Sequence, residues 1–133
     1  MPDKLFLDTN VLIYALAQGD RRSKTAEDLL NAGGIVSVQV LNEFVSVARR
    51  KLQMGWGDVH RALQSIRELC GRPTPLTLQT HERSLRIAQK YHYEIYDSLI
   101  IASALQAGCS SLYSEDLHHG QVIEGRLAIV NPF

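Results

Sequence analysis

The sequence predicts an α/β fold with a mostly parallel sheet that is covered by helices on both faces. Short β-rich runs of apolar residues alternate along the chain with longer segments of helical periodicity. This alternation is typical of parallel sheets, because neighbouring parallel strands need a crossover connection, which is usually a helix. The five candidate strands are residues 4–7, 35–38, 76–78, 111–114 and 127–130.

Six helices are predicted between and beside these strands. The second ends at a pair of glycines, which is a common helix stop. Asp58 is predicted to cap the fourth helix and Thr80 the fifth, because Asp and Thr are favoured at the N-cap position. The six segments are residues 11–16, 23–34, 40–52, 58 to about 70, 80 to near "YHY" at 91–93, and 96–107.

The composition indicates an ordinary globular protein, and we expect residues 1–133 to form one domain. Of the 133 residues, 45% are hydrophobic and 21% are charged, which is enough for a hydrophobic core. Fourteen basic and fourteen acidic residues cancel, and the lack of a basic excess counts against strong general binding of nucleic acid. Two isolated cysteines and no signal-peptide pattern predict a reducing cytoplasm with free thiols.

An aspartate interrupts the apolar stretch "LFLDTNVLIY", residues 5–14, where the chain otherwise has the pattern of a protein core. Asp8 directly follows the first predicted strand. Ligands of parallel α/β sheets bind in the crevice beyond the carboxyl ends of the strands. Asp8 is therefore expected at such a crevice and is the first candidate site residue.

Two more carboxylates lie on predicted helices, and each has two open interpretations. Asp97 is in the first turn of a helix that is apolar on nearly its whole circumference, as buried helices are. It either compensates the positive end of that helix or belongs to a site. Glu43 projects roughly 140° from the apolar stripe of its helix, at about 100° per residue. It is either solvent-exposed or, because its helix follows a predicted strand, a site residue.

An acidic loop, "YSEDLHHG" at residues 113–120, follows the fourth predicted strand. Its Glu115 and Asp116 either form a surface turn or reach the same crevice as Asp8. Carboxylates gathered from four segments would raise one another's pKa unless a cation lay among them. Oxygen ligands without a Cys or His cluster favour Mg²⁺ or Mn²⁺ over zinc. Such ions orient phosphates and activate water, so the pattern favours hydrolysis of a phosphodiester.

Four blocks of the sequence, taken in order and spacing, resemble the PIN domain family, and in particular its VapC-type toxin ribonucleases. The blocks are "LFLDTNVLIYAL", "SVQVLNEF", "YDSLIIASALQAGC" and "LYSEDLHHGQ", and together they span essentially the whole chain. The resemblance implies a three-layer α/β/α fold with a mostly parallel central sheet of four to five strands. It also implies a ribonuclease of a toxin–antitoxin pair that uses Mg²⁺ or Mn²⁺.

The resemblance also implies roles for individual residues. The acidic residues would be catalytic: three would bind the metal, and Glu43 would be a further ligand or would orient the attacking water. Glu115 stays open as an alternative to Asp116. The implied metal ligands are Asp8, Asp97 and Asp116, and the implied supporting residues are Thr9, Asn10 and Ser114.

The implied partners are an RNA substrate, a cognate antitoxin protein and a second copy of the chain. Relatives form homodimers whose acidic sites open onto a shared groove, which the antitoxin covers. Their substrates include transfer and ribosomal RNA. With a neutral net charge, RNA binding here would depend on local basic patches such as "RRSK" at 21–24 and "RRK" at 49–51, and would weaken as salt rises.

Other functions share parts of this pattern. A housekeeping PIN nuclease and a non-catalytic PIN scaffold share the fold, and a receiver-type signalling domain shares an acidic magnesium pocket. A receiver domain would need an acidic pair after its first strand, where this chain has "DTN". The histidine pair His118 and His119 is predicted to form a surface turn, and Trp56 to anchor helix packing or an interface rather than stack on a base.

Overall fold

The computed structural model describes residues 4–17 and 19–133, so residues 1–3 and 18 of the predicted domain lie outside the described residues. Six helices surround a small sheet, as the sequence predicts. In chain order the elements are β1 (Leu5–Leu7), α1 (Thr9–Leu16), α2 (Ser23–Asn31), α3 (Val38–Arg50), α4 (Trp56–Cys70), α5 (Leu78–Tyr91), α6 (Ile95–Gln106), β2 (Ser111–Tyr113), β3 (Val122–Ile123) and β4 (Leu127–Val130).

The sheet has four strands in the order β1-β2-β4-β3, and only the short edge strand β3 runs antiparallel. This arrangement confirms the predicted α/β fold with a mostly parallel sheet. Strand β1 pairs with β2 in a register that places Leu7 opposite Tyr113. The two strands therefore end at the same level, and the residues that follow them, Asp8 and Ser114, emerge side by side.

Two of the predicted strands are wrong. At 35–38 the chain makes only single parallel bridges, from Ile35 to Phe6 and from Ser37 to Thr74. The Ser37 hydroxyl then accepts the backbone N–H of Val40, and α3 begins directly after this N-cap, at Val38. An N-cap directly after a short extended segment therefore shortens the strand that the apolar run predicts.

The run at 76–78 is likewise a helix start rather than a strand. Thr77 is the N-cap of α5, so Thr80, the predicted cap, is instead its partner in a reciprocal capping box. Asp58 is also not a cap: Gly55 precedes α4, and Asp58 lies in the first turn of that helix. The sequence pattern does not predict β3, because two residues are too few to show an alternation.

Helix α6 runs through the middle of the core. Every residue from Ser98 to Leu105 is buried, which confirms the prediction of a helix apolar on all sides. Its buried Ser103 is satisfied by donating to the carbonyl of Leu99 at 2.8 Å. Fully buried side chains from three strands and two other helices belong to the same core, among them Phe6, Val11, Phe44, Leu112 and Ile129.

The two cysteines are unpaired, as predicted. Burial raises the pKa of both the Cys70 and the Cys109 thiols to about 11, so neither is a reactive thiolate at neutral pH. Among the residues that the structure describes, no helix combines the length and the apolar character that a membrane crossing requires.

Candidate active site

Asp8 lies at the junction of β1 and α1, where it is the N-cap of the helix. Its side chain is only 4% exposed. One carboxylate oxygen accepts the backbone N–H of Thr9 at 2.6 Å, and the other accepts the hydroxyl of Ser114 at 2.7 Å. Its backbone N–H donates to the carbonyl of Tyr113 at 3.0 Å, which continues the β1–β2 pairing past the end of the strands. The sequence-based placement of Asp8 at the end of the first strand is therefore correct.

Burial raises the pKa of Asp8 from 3.8 to about 6. The hydrogen bonds from Ser114 and from the Thr9 backbone lower it, and the charges of Asp97 and Asp116 raise it again. Burial therefore destabilises the charged form of Asp8 more than the two hydrogen bonds stabilise it. A cation placed against this group would relieve both the desolvation and the repulsion.

Asp116 is exposed, and its hydrogen bonds with Asn10 and Ser114 hold it in place. The Asn10 amide donates to Asp116 Oδ2 at 3.1 Å, and the Asn10 carbonyl oxygen accepts the backbone N–H of Glu115 at 3.3 Å. Ser114 Oγ accepts the backbone N–H of Asp116 at 3.2 Å. Asn10 thus contacts Asp116, and Ser114 contacts both Asp8 and Asp116, while the supporting role that the resemblance implies for them stays a prediction.

Thr9, the third predicted supporting residue, contacts Asp8 through its backbone only. The Thr9 hydroxyl is buried and has no hydrogen-bond partner among the described residues, and the same holds for the Ser98 hydroxyl. Each of these two hydroxyls directly follows a site aspartate in the sequence, Asp8 or Asp97. Buried polar atoms without partners are uncommon in proteins, and both occur here beside the acidic cluster.

Glu115 does not share the position of Asp116 but belongs to a separate hydrogen-bond network around Arg22. Arg22 Nη1 donates to both Glu115 carboxylate oxygens, at 2.9 and 3.1 Å, and also to the hydroxyl of Tyr14 at 2.7 Å. The remaining edge of the Arg22 guanidinium forms two bonds of 2.9 Å to Asp20. Arg22 therefore ties the loop that carries Asp116 to α1 and to the α1–α2 connection.

Glu43 lies on α3 and is half-buried, so the interpretation as a merely solvent-exposed glutamate is wrong. Its Oε2 accepts the side-chain amide of Gln39 at 3.1 Å. Burial raises the pKa of Glu43 from 4.5 to about 7; the Gln39 bond lowers it, and the charges of Asp8 and Asp97 raise it. Glu43 is thus electrostatically coupled to the aspartates, which favours the second of its two sequence-based interpretations, that of a site residue.

Asp97 is in the first turn of α6, at its partly buried N-terminal end. Glu94 is the N-cap residue, and it makes no side-chain capping bond. Burial raises the pKa of Asp97, and the charges of Glu94 and Asp116 raise it further. Burial and these charges therefore oppose the favourable interaction of a carboxylate with the positive end of a helix.

The four predicted carboxylates thus form one electrostatic cluster. Asp8 interacts with Asp97 and Asp116, Glu43 interacts with Asp8 and Asp97, and Asp97 interacts with Asp116. Their oxygens are the donors that Mg²⁺ and Mn²⁺ prefer. Within the described part of the chain, however, no three acidic, His or Cys side chains are already arranged to hold a metal ion. The donor chemistry fits a hard divalent cation, and the carboxylates would have to move together to bind it.

The other residues considered in the sequence, His118, His119 and Trp56, lie outside this cluster. The ring of His118 lies against Tyr93 with 5.3 Å between centroids and the planes tilted by 49°, and His119 Nδ1 accepts the backbone N–H of Asn131 at 2.9 Å. Both histidines are exposed, as predicted for a surface turn. Trp56 is 56% exposed at the start of α4, with the guanidinium of Arg49 at 4.5 Å from the ring centroid. None of the three belongs to the acidic cluster.

The fold and these residues define an α/β domain with an acidic pocket at the carboxyl edge of its sheet. Sequence comparison gives the family: residues 5–123 match the PIN domain, so the chain belongs to the PIN domain family. The membership that the sequence blocks predict is confirmed. None of the proteins with curated annotation matches the sequence significantly.

Several solved structures share the fold. A toxin–antitoxin complex from Klebsiella pneumoniae contains a chain of 24% identity, with 98% of each chain covered and a TM-score of 0.71. VapC20 of Mycobacterium tuberculosis, described as a toxin that cleaves the sarcin–ricin loop, is 20% identical over 85% of this chain and 90% of its own, with a TM-score of 0.64. FitAcB of Neisseria gonorrhoeae is 23% identical over 96% and 97%, with a TM-score of 0.64.

Proposed function

We propose that this protein is a metal-dependent endoribonuclease and the toxin of a toxin–antitoxin pair. The observation that carries the proposal is that Asp8, Glu43 and Asp97 are partly or fully buried near other carboxylates in a PIN-family fold, so that burial first, and neighbouring acidic charges second, raise the pKa of all three carboxyl groups. Without a cation, ionisation of these carboxyl groups is unfavourable. Their oxygen atoms are suitable ligands for a divalent metal. The similar folds described as toxins support the toxin assignment.

Asp8, Asp97 and Asp116 would hold Mg²⁺ or Mn²⁺. When bound, such an ion polarises the scissile phosphate, neutralises charge that develops on it and lowers the pKa of water. The metal identity, and whether one or two ions bind, would be fixed by these three aspartates together with Glu43. Ser114 and Asn10 keep Asp8 and Asp116 in place through the hydrogen bonds described above.

Glu43 would orient the attacking water. Its Oε2 is engaged by Gln39, which leaves Oε1 to accept a proton from that water. A pKa of about 7 suits a group that takes up and releases a proton near neutral pH. Hydrolysis breaks one P–O bond of the RNA backbone and yields a phosphomonoester and a hydroxyl group.

The proposal includes the partners and the setting that a toxin requires. A cognate antitoxin would cover the acidic site, two copies of the chain would form a homodimer, and the protein would act in the cytoplasm on transfer, ribosomal or messenger RNA. The neutral net charge implies that substrate choice depends on local contacts rather than on general attraction to RNA. A small protein encoded directly upstream, whose co-expression relieves growth inhibition, would distinguish a toxin from a housekeeping PIN nuclease.

The direct test is cleavage of total and transfer RNA by purified protein with Mg²⁺, with Mn²⁺ and with EDTA. Asp8→Asn and Asp97→Asn are measured beside the wild type, and Asp28→Asn, an exposed substitution on α2, is the matched control. We expect metal-dependent cleavage that is lost in the two site variants and kept in the control. Cleavage that survives EDTA or both site substitutions would refute the proposal. A folded, antitoxin-free protein that cuts no RNA would favour a non-catalytic scaffold.

A further inference from the structure

A cavity adjoins the acidic cluster between α3 and the start of α6. Its volume is about 450 Å³, within the range of pockets that hold small organic ligands. Glu43 belongs to its wall, so the cavity opens directly beside the cluster. The complete wall consists of Gln39, Asn42, Glu43, Ser46, Val47, Arg50 and Tyr96.

The polar face of α3 forms most of the cavity wall. Six of the wall residues belong to α3, at 39, 42, 43, 46, 47 and 50, and they recur at intervals of three or four positions, so they share one face of the helix. This face is opposite the apolar stripe that packs into the core. It carries two amides, a hydroxyl and a guanidinium, which are groups that hydrogen-bond to nucleobase edges and to phosphate.

Tyr96 gives the cavity an aromatic wall. Its side chain is 63% exposed, although it directly precedes Asp97 and the most deeply buried helix of the protein. Aromatic rings next to a backbone-binding groove serve as stacking platforms for single-stranded bases. The larger cavity of about 1030 Å³, between α3 and α4, is lined by no Phe, Tyr or Trp and by no carboxylate of the cluster.

Arg50 supplies the cation of this cavity. It lies seven residues beyond Glu43, which places it about 10 Å further along the helix axis at 1.5 Å per residue. Among the residues that the structure describes, Arg50 makes only a long bond of 3.4 Å, to the carbonyl of Ser46, which leaves most of its guanidinium donors for a phosphate. A nucleotide chain that has one phosphate at the cluster would have a neighbouring phosphate within reach of Arg50.

We infer that this cavity is a nucleotide subsite that binds one unpaired RNA residue beside the scissile phosphate. The base stacks on Tyr96, the α3 amides contact its edge, and Arg50 binds the adjacent phosphate. This inference rests on the proposed ribonuclease function and deepens it. It implies that the protein cuts RNA in loops or other single-stranded segments, because a base within a duplex cannot reach the Tyr96 ring.

The binding test uses fluorescein-labelled decauridylate and Asp8→Asn protein, which keeps the probe intact. Tyr96→Ala is expected to weaken binding about tenfold, and Tyr96→Phe to retain it, since stacking needs the ring alone. Arg50→Gln should reduce the slope of log affinity against log salt by about 0.7, the contribution of one single-strand phosphate contact. The controls are Trp56→Ala, an exposed aromatic outside the cavity, and Arg86→Gln, an exposed cation on α5.

A decamer of the same backbone without bases separates stacking from a structural effect. Tyr96→Ala should bind this abasic decamer as the parent does, because there is no base to stack. Equal binding of decauridylate by parent and Tyr96→Ala, or equal losses in Tyr96→Ala and Tyr96→Phe, would overturn the subsite. Absence of any decauridylate binding by the parent up to millimolar concentration would also overturn it.

The outcome for the subsite can be separated from that for the ribonuclease function. In the wild-type background, Tyr96→Ala is expected to raise the KM for RNA cleavage about tenfold with little change in kcat. Cleavage that is insensitive to Tyr96 would reject the subsite and leave the ribonuclease standing. Tyr96-dependent binding by a protein that cleaves no RNA would reject the ribonuclease and leave the subsite standing.

Discussion

Replacing Asp8 with asparagine should make the metal-free protein more stable at neutral and alkaline pH. The carboxylate is 4% exposed, and burial raises its pKa from 3.8 to about 6. Because the folded state binds this proton more tightly than the unfolded state, the free energy of unfolding falls as pH rises between these two values. At about 1.4 kcal/mol per tenfold change in proton affinity, the full cost above pH 7 is roughly 3 kcal/mol.

The expected gain is smaller than this cost, since asparagine does not reproduce every contact. Its carbonyl oxygen can still accept the Thr9 backbone N–H, but the Ser114 hydroxyl loses the acceptor it has now. A lost hydrogen bond of this kind costs about 1 kcal/mol. The net stabilisation at pH 8 is then about 2 kcal/mol, or a melting temperature higher by roughly 8 °C for a domain of this size.

Urea unfolding in EDTA at pH 4, 6 and 8 measures this effect. The advantage of Asp8→Asn should be largest at pH 8, smaller at pH 6, and absent or reversed at pH 4, where the wild-type carboxyl group is protonated. Asp28→Asn, at an exposed position paired with Lys24, should show no comparable trend. If the variant is less stable at pH 8, or if the difference in stability does not change with pH, the buried charge of Asp8 does not destabilise the metal-free protein.

Four further changes test other parts of the structure. Glu43→Gln should lower RNA cleavage about 100-fold while keeping the Gln39 contact, and a fully active variant would remove Glu43 from the mechanism. Arg22→Ala frees Glu115 and should raise the Mg²⁺ concentration for half-maximal cleavage about 10–100-fold, with partial recovery in Arg22→Lys; an unchanged Mg²⁺ dependence would show that the network does not position the loop. Ser37→Ala removes the N-cap bond of α3 and should cost about 1 kcal/mol in urea unfolding, an effect that would vanish if the cap were dispensable. Mn²⁺ at 100 times its Kd should stabilise wild type by about 2.7 kcal/mol in thermal unfolding and Asp8→Asn much less, whereas equal shifts would place the ion elsewhere.

The position of Asp8 and the burial of α6 were predictable because each depends on a local pattern. An aspartate that ends an apolar run must lie at a strand end, and a helix without a polar face must lie inside. The same patterns misled at 35–38 and 76–78, where short apolar runs have the composition of strands. There the side chains of Ser37 and Thr77 start helices, and whether a hydroxyl caps a helix depends on backbone geometry that composition does not contain.

The role of Glu115 could not be predicted for a different reason. Glu115 and Asp116 are adjacent acidic residues, and which of them faces the cluster depends on distant partners, because Arg22 binds Glu115 and Asn10 binds Asp116. Contacts between residues 93 positions apart leave no periodic signal in a single sequence. Glu43 was ambiguous in the same way, because its helix alone does not show that Asp8 and Asp97 lie opposite its polar face.

The β1–β2 register limits how this chain can evolve. Leu7 pairs with Tyr113, so Asp8 meets Ser114, and on the same strands the side chains of Phe6 and Leu112 are fully buried. A single inserted or deleted residue in either strand would shift this pairing, turn core side chains towards the opposite face and separate Asp8 from Ser114. We therefore expect this chain to tolerate insertions and deletions in its connections, such as residues 51–55 and 71–76, and not to tolerate them in residues 5–8 and 111–114.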